Sequence, residues 1–228
     1  MNKNLSEDAY DNIRRDILSG ILLPNERLQI DAVSVRYAIG AVPIREALNR
    51  LSAAGLVARR SNRGFCVSPI SISKLEELVK TRIWLEKLAL SESMKNGDDA
   101  WEERLVVGYH RLARTQRRLP KDGCKDLSLQ WEDNHKAFHM SLIERCESSW
   151  LLSFCSNLMD EAVRYRNLSM NINPSKQRRE GAAAEHKEIL DVVLERDTVN
   201  ACLLLEKHYR ITLDGLKMLD LPKAVQSE

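Results

Sequence analysis

Four of the five histidines are spaced so that they could bind one metal ion together. His135 and His139 are four residues apart, which places both on one face of a helix. His186 and His208 are 22 residues apart, and the predicted helix break at 196–198 lies near their midpoint. A helical hairpin that turns there would bring this second pair to the same level on facing helices. Because neutral imidazole is a common ligand of divalent metals, the two pairs predict a metal site.

The alternative interpretation is that these are ordinary core histidines. An H-x-x-x-H spacing is a weak signal by itself, because many helices carry one without binding a metal. The pair matched across the hairpin is an independent observation, and it favours the metal. His110 belongs to neither pair, and we expect it to be an ordinary surface or core histidine.

A second group of side chains has the chemistry needed to read DNA bases. In a helix predicted over residues 43–54, apolar residues recur on one face and leave Arg45, Asn49 and Arg50 pointing away. Arginine suits bidentate contact with guanine, and asparagine suits adenine. The pattern indicates a recognition helix that enters the major groove. The alternative is that these are solvated helix residues, and it is stronger for Asn49 and Arg50 than for Arg45.

A stretch without acidic residues follows this helix. Residues 47–75 contain no Asp or Glu, but they include Arg59, Arg60 and Arg63. A local basic field of this kind favours contact with phosphates, whereas a merely solvated face usually mixes both signs. Gly64 would let the backbone approach DNA closely beside Arg63, so we expect this pair to touch phosphates or the minor groove.

Three short helices and a hairpin are predicted to position the DNA-reading residues. The predicted elements are helices over about 6–19, capped by Ser6, over 31–38, capped by Asp31, and over 43–54, followed by two β-type runs within 56–67. Three helices followed by a hairpin form the winged helix-turn-helix plan. We therefore assign residues 1–70 to a DNA-binding domain.

The rest of the chain shows only helical signals. Residues 68–72 are interpreted as a linker. Six helices are predicted, over about 73–97, 99–120, 127–146, 149–168, 177–195 and 198–219, with capping boxes at Ser73/Glu76 and Asp99/Glu102, Pro120 as a terminator and a loop from Asn171 to Ser175. Residues 71–228 are thus predicted to form an all-α bundle for effector binding and dimerisation, and the fold class is mainly α.

Composition excludes several classes of protein. The chain has 228 residues, enough for two domains, and no run of 18 apolar residues, so we expect no membrane span and no secretory signal. The five cysteines are scattered and never spaced as C-x-x-C. That usage favours reduced thiols in the cytoplasm over a disulfide framework or a thiolate zinc site.

The run PNERLQIDAVSVRYAIGAVPIREALNRLSAAGLVARRSNRGFCV resembles the GntR family of bacterial transcription regulators. The matching motifs are the P-I-R-E-A-L-N-R-L helix, the G-L-V exit and the N-R-G wing, and the resemblance covers residues 6–70. It implies a regulator of double-stranded operator DNA. Many members carry a Ser-Arg pair before this helix, whereas Gly40–Pro43 is one residue shorter and lacks that arginine. The departure implies that Arg36 or Arg45 carries more of the base readout.

Residues from about 73 to 219 resemble the all-helical FCD domain that follows one branch of GntR regulators. The matching motifs are R-x-x-L-E in the first helix, a Phe-His pair ending at His139, and H-x-x-I-L starting at His186 with His208 beyond it. Members of this type bind a divalent metal, often zinc or nickel, through one Asp and three His. The resemblance implies these three histidines as ligands, and His135 stands where the Asp is usual.

A small carboxylic acid commonly occupies the open metal positions in this type of domain. The resemblance implies that Arg82 binds the carboxylate, for which a bidentate fork is well suited. The alternative is an ion pair between Arg82 and Glu86 on the same helix. Arg164, Tyr165 and Arg166 are further candidates for effector contact.

We therefore expect a metabolite-responsive repressor that binds its operator as a homodimer, because regulators with this motif gain specificity from two half-sites. A direct metal sensor is the alternative, since a four-histidine cage suits the metal itself as the signal.

A metal-dependent enzyme is disfavoured. The residue after His135 is Lys136 and not the Glu of H-E-x-x-H, and the chain has no Gly-rich phosphate loop and no G-x-S-x-G motif.

Overall fold

The computed structural model describes the backbone of residues 4–60, 64–115, 129–172 and 176–218. Within these ranges it also describes the side chains, except those of residues 129 and 168–180. The described residues separate into two compact units, with the boundary between Ser71 and Ile72. Arg63, a predicted wing contact, and Pro120, a predicted helix terminator, lie outside the described residues. In the described part of the chain, no helix is long and apolar enough to cross a membrane.

The first unit has the predicted winged helix-turn-helix fold. Its elements are α1 (Leu5–Leu18), β1 (Arg27–Leu28), α2 (Ile30–Tyr37), α3 (Ala41–Ala53), β2 (Val57–Arg60) and β3 (Gly64–Val67). The two predicted β-type runs form the antiparallel pair β2–β3, and β1 adds a third strand on the far side of β3. The sequence did not predict β1, because two residues are too few to show an alternating pattern.

Helical spacing of apolar residues explains the core of this unit. Ile13 and Ile17 are one turn apart on α1, and Ile44, Leu48 and Leu51 recur on one face of α3. All five side chains are buried, and α1 packs against α3. This packing leaves the opposite face of α3 open to solvent, as the apolar pattern predicted.

Two predicted caps in this unit are wrong. Helix α1 begins one residue before Ser6, and its N-cap is Asn4 without a side-chain hydrogen bond. Helix α2 begins before Asp31, and Gln29 stands at its N-cap in the same way. A sequence shows which residues can cap a helix, but the preceding backbone decides which one reaches the cap geometry.

The second unit contains the six predicted helices. They are α4 (Ile72–Asn96), α5 (Asp99–Arg114), α6 (Leu129–Ile143), α7 (Ser149–Ile172), α8 (Lys176–Leu194) and α9 (Thr198–Lys217). The cap of α5 is Asp98 and not Asp99, since the Asp98 carboxylate accepts from the Trp101 backbone N–H at 2.8 Å. The loop predicted from Asn171 is also wrong at its start, because α7 continues to Ile172.

The turn between α8 and α9 is held by one arginine. Arg196 adopts a left-handed backbone conformation with φ 61° in this turn. Its guanidinium donates to the carbonyl oxygens of Met94 at 2.9 Å and Gly97 at 3.0 Å, and it pairs with Glu102. Asp197 then caps α9 by accepting from the Asn200 backbone N–H at 3.0 Å. These contacts connect the turn between α8 and α9 to the end of α4 and the start of α5.

Candidate metal centre and nucleic-acid interface

The four predicted histidines meet inside the second unit. Helix α6 carries His135 and His139, α8 carries His186, and α9 carries His208. All four side chains are buried, and each offers a ring nitrogen within 4.8 Å of the others. The ring centroids of His186 and His208 are 4.7 Å apart, so the hairpin brings them to the same level as the spacing predicted.

The donor set suits a divalent transition metal. Zinc–imidazole bonds of about 2.0–2.1 Å place tetrahedral ligand nitrogens about 3.4 Å apart, within the 4.8 Å that bounds the ligand atoms of this cluster. The Nε2 atoms of His139 and His186 face each other at 3.2 Å. Two imidazole lone pairs can point at one spot only if a proton or a cation lies between them. The residues therefore fit a metal ion.

Burial keeps two of these histidines neutral. It lowers the pKa of His135 and of His139 well below the usual value, and the neighbouring histidines and Arg166 lower both further. A neutral imidazole is the form that binds metals, so the site favours the ligand-competent state. His110, by contrast, is exposed, in line with its place outside both pairs.

Three residues that the sequence did not single out surround the histidines. Glu185 Oε2 lies 2.6 Å from His208 Nδ1, the Tyr209 hydroxyl lies 3.2 Å from His139 Nδ1, and the Trp131 ring stacks on His135 with centroids 4.7 Å apart. Partners of this kind orient metal-binding imidazoles. Glu185 and Tyr209 are direct neighbours of cluster histidines in the chain, yet adjacent helical residues point about 100° apart, so the sequence contained no signal for either.

Of the predicted effector residues, Arg82 lies within the network that reaches the cluster. Its Nε donates to Glu86 Oε1 at 2.7 Å and its Nη2 approaches Glu86 Oε2 at 3.4 Å, so the intrahelical ion pair exists. Both side chains are buried. Burial, and then the Glu86 carboxylate, raises the pKa of Tyr209 well above its usual value, which keeps this phenol protonated.

The other predicted effector residues, Arg164, Tyr165 and Arg166, lie on α7. Arg164 is buried and pairs with Glu161 on the same helix, with 2.8 Å between Nη1 and Oε2. Tyr165 is also buried. Burial raises the pKa of Glu161, although the Arg164 guanidinium beside it lowers that pKa.

Helix α3 presents the predicted DNA-reading face to solvent. Arg45 is exposed, and among the described residues it makes no hydrogen bond or ion pair. Asn49 is exposed as well, but its Oδ1 accepts from Arg59 Nη2 at 2.6 Å. Arg50 pairs with Glu7 at 2.9 Å and lies 4.3 Å from the ring centroid of Tyr10. Arg45 is thus the α3 candidate best prepared for a base contact.

The remaining residues predicted to contact DNA differ in their exposure and in the partners that their side chains have within the protein. Arg36 pairs with Asp16 at 3.2 Å, and the Tyr37 hydroxyl donates to the same carboxylate at 2.7 Å. Gly64 is exposed at the start of β3 with φ 74°, a conformation that favours glycine. Arg60 donates to Asn25 Oδ1 at 3.1 Å. Gly64 therefore has the backbone conformation and exposure that close approach to DNA would require.

The fold is that of a winged helix-turn-helix transcription regulator with an all-helical C-terminal domain. Residues 5–67 match the family described as bacterial regulatory proteins, gntR family, and residues 77–210 match the FCD domain. The chain therefore belongs to the GntR family of transcription regulators, in the branch that carries an FCD domain.

Two bacterial relatives match this chain over most of its length. It is 36% identical to the uncharacterized HTH-type transcriptional regulator BphR of Paraburkholderia xenovorans, over 96% of this chain and 88% of that protein. It is 30% identical to the HTH-type transcriptional repressor GlaR of Escherichia coli, over 89% of this chain and 91% of that protein.

Solved structures agree on the fold. The structure of E. coli McbR/YncC has a TM-score of 0.77 and 18% identity, covering 95% of this chain and 98% of that one. A GntR-type putative transcriptional regulator from Rhodococcus has a TM-score of 0.73 and 18% identity, covering 93% and 97%. At this level of identity the likeness concerns the fold alone.

Proposed function

We propose that this protein is a dimeric repressor whose affinity for operator DNA changes when a small carboxylic acid binds at a metal centre in the helical domain. The observation that carries the proposal is the buried cluster of four histidines on α6, α8 and α9. Similarity to a protein named as a transcriptional repressor supports the sign of regulation.

The metal ligands would be His135, His139, His186 and His208, and the metal would be zinc or nickel. Imidazole suits both ions, whereas magnesium and calcium prefer oxygen ligands. The bound ion would offer a Lewis-acidic position for a carboxylate oxygen. Four histidines would fill all the positions of a tetrahedral zinc ion. An ion with more than four coordination positions would keep some of them open for the acid, which favours nickel.

The effector would be held by Arg82, Arg164 and Tyr165 together with the metal. Glu86 engages Nε and Nη2 of Arg82, so Nη1 is the nitrogen left to reach a carboxylate. For Arg164, Glu161 engages Nη1. A carboxylate brought beside either arginine would gain a charge-assisted hydrogen bond in a site with little water.

A thermal-shift screen of small mono- and dicarboxylates tests this function. An acid that binds only the folded, metal-loaded protein should raise its unfolding midpoint, because ligand binding stabilises the native state by an amount that grows with the logarithm of ligand concentration over Kd. The same acid should change binding to an operator selected in vitro from random DNA, and metal-free protein is the control. If metal alone changes operator binding and no acid does, the protein is a direct metal sensor. If neither has any effect, the proposed regulation is wrong.

A homodimer is the expected solution state. One recognition helix reads only a few base pairs, and two copies related by a twofold axis read two half-sites about 34–36 Å apart, or a multiple of that distance. Multi-angle light scattering should therefore give twice the chain mass of 26.1 kDa. A monomer at micromolar concentration, both free and on DNA, would contradict this prediction.

A further inference from the structure

A chain of hydrogen bonds connects an arginine on α4 to a histidine of the cluster. Arg82 Nε donates to Glu86 Oε1 at 2.7 Å, and the Tyr209 hydroxyl donates to Glu86 Oε2. The same hydroxyl lies 3.2 Å from Nδ1 of His139. All four side chains are buried, so water does not compete for these contacts.

Counting protons along this chain determines the direction of each bond. A phenol has one proton, and a carboxylate paired with arginine only accepts, so the Tyr209 proton is directed at Glu86. The hydroxyl oxygen must then act as an acceptor toward His139. Nδ1 of His139 therefore carries a proton, and because a neutral imidazole has a single N–H, its Nε2 has a free lone pair.

We propose that Arg82, Glu86 and Tyr209 act together to set the tautomer of His139, so that Nε2 is always presented as a metal ligand. The proposal rests on the metal centre of the proposed function. Nε2 of His139 lies 3.2 Å from Nε2 of His186, which is the position a shared ion requires. Tyr209 is thus a positioning residue, since it acts on the metal through His139.

Arg82 has two roles in this arrangement. It supplies the charge opposite Glu86, and its guanidinium carbon lies 4.2 Å from the centroid of the Tyr209 ring. The cation therefore holds the aromatic ring from one side while Glu86 holds the hydroxyl. His208 has a simpler partner, because its Nδ1 contacts the Glu185 carboxylate directly, which puts the lone pair of the neutral ring on Nε2. Both imidazoles are thus protonated at Nδ1, His139 through Tyr209 and His208 through Glu185.

The tautomer can be measured on the metal-free wild-type protein, which needs no variant. Long-range ¹H–¹⁵N spectra of protein labelled at histidine distinguish a protonated from an unprotonated ring nitrogen, and a His139→Gln sample assigns the signals. We expect His139 to be protonated at Nδ1 and unprotonated at Nε2. A His139 protonated at Nε2 would overturn the proposal, whether or not the protein binds metal.

The Tyr209→Phe variant removes the hydroxyl and keeps the ring. Competition with a chromophoric chelator should show a Zn²⁺ affinity about ten- to a hundred-fold weaker, the usual effect of losing such a partner, and His139 should populate both tautomers. Tyr37→Phe is the matched control, because it deletes a tyrosine–carboxylate hydrogen bond in the other unit and should leave Zn²⁺ affinity unchanged.

The outcomes separate this inference from the proposed function. A Tyr209→Phe protein that binds Zn²⁺ as tightly as the wild type would refute the role of Tyr209. If the circular dichroism of the variant shows that it does not fold, the tautomer of His139 in the wild type is the measurement that tests the proposal. If the wild type binds no Zn²⁺ and no Ni²⁺, the metal centre of the proposed function is wrong, and the tautomer measurement still tests the hydrogen-bond chain.

Discussion

Replacing Arg45 by alanine should weaken binding to the selected operator by at least about 30-fold. A good bidentate base contact is worth about 1–3 kcal/mol, and a dimer loses two of them, so the total is about 2–6 kcal/mol. Arg45 is exposed on the outer face of α3, and the buried face of that helix does not include it. The fold and the response to the effector should stay intact.

Arg15→Ala is the control for this experiment. Arg15 is also exposed and in the same unit, and it contacts Asn12 on its own helix. Both variants lose one positive charge, so binding to random DNA should change by a similar, small amount. A fluorescence anisotropy titration measures both affinities. If Arg45→Ala binds the operator as tightly as Arg15→Ala does, then Arg45 reads no base.

Replacing His186 by alanine should remove most of the bound metal. The purified wild type should carry about one divalent ion per chain. Loss of a direct ligand should weaken metal affinity by more than the roughly hundred-fold that loss of a residue hydrogen-bonded to a ligand costs. His186 is the cluster residue whose Nε2 faces His139 at 3.2 Å, so alanine opens one side of the cage. Elemental analysis and a Zn²⁺ competition titration measure the change.

His110→Ala is the matched control, because it removes an exposed histidine from the same unit. This variant should keep its metal. His186→Ala should lose the response to the carboxylic acid while it keeps operator binding, which belongs to the other unit. Wild-type protein that carries no metal after growth in supplemented medium would make the four histidines ordinary core residues.

Local periodicity explains why so much of this protein could be predicted. The i, i+4 pair on α6 and the matched pair across the α8–α9 turn follow from helix geometry, which repeats every 3.6 residues whatever the surroundings. The same periodicity identified the buried face of α3 and therefore the exposed position of Arg45. The hairpin of the wing followed from two β-type runs around Gly64. Each of these features is encoded within a few turns of one or two neighbouring elements.

The partners of the predicted residues depended on packing between distant elements. Arg50 reaches Glu7 across 43 positions of the chain, and Tyr209 reaches Glu86 across 123. Sequence spacing contains no information about such contacts, because side-chain direction and helix packing together decide them. The sequence therefore determined which residues have the chemistry to read DNA and bind metal. Only the tertiary structure decided which arginine on α3 stays free, and which hydrogen-bond partner holds each histidine.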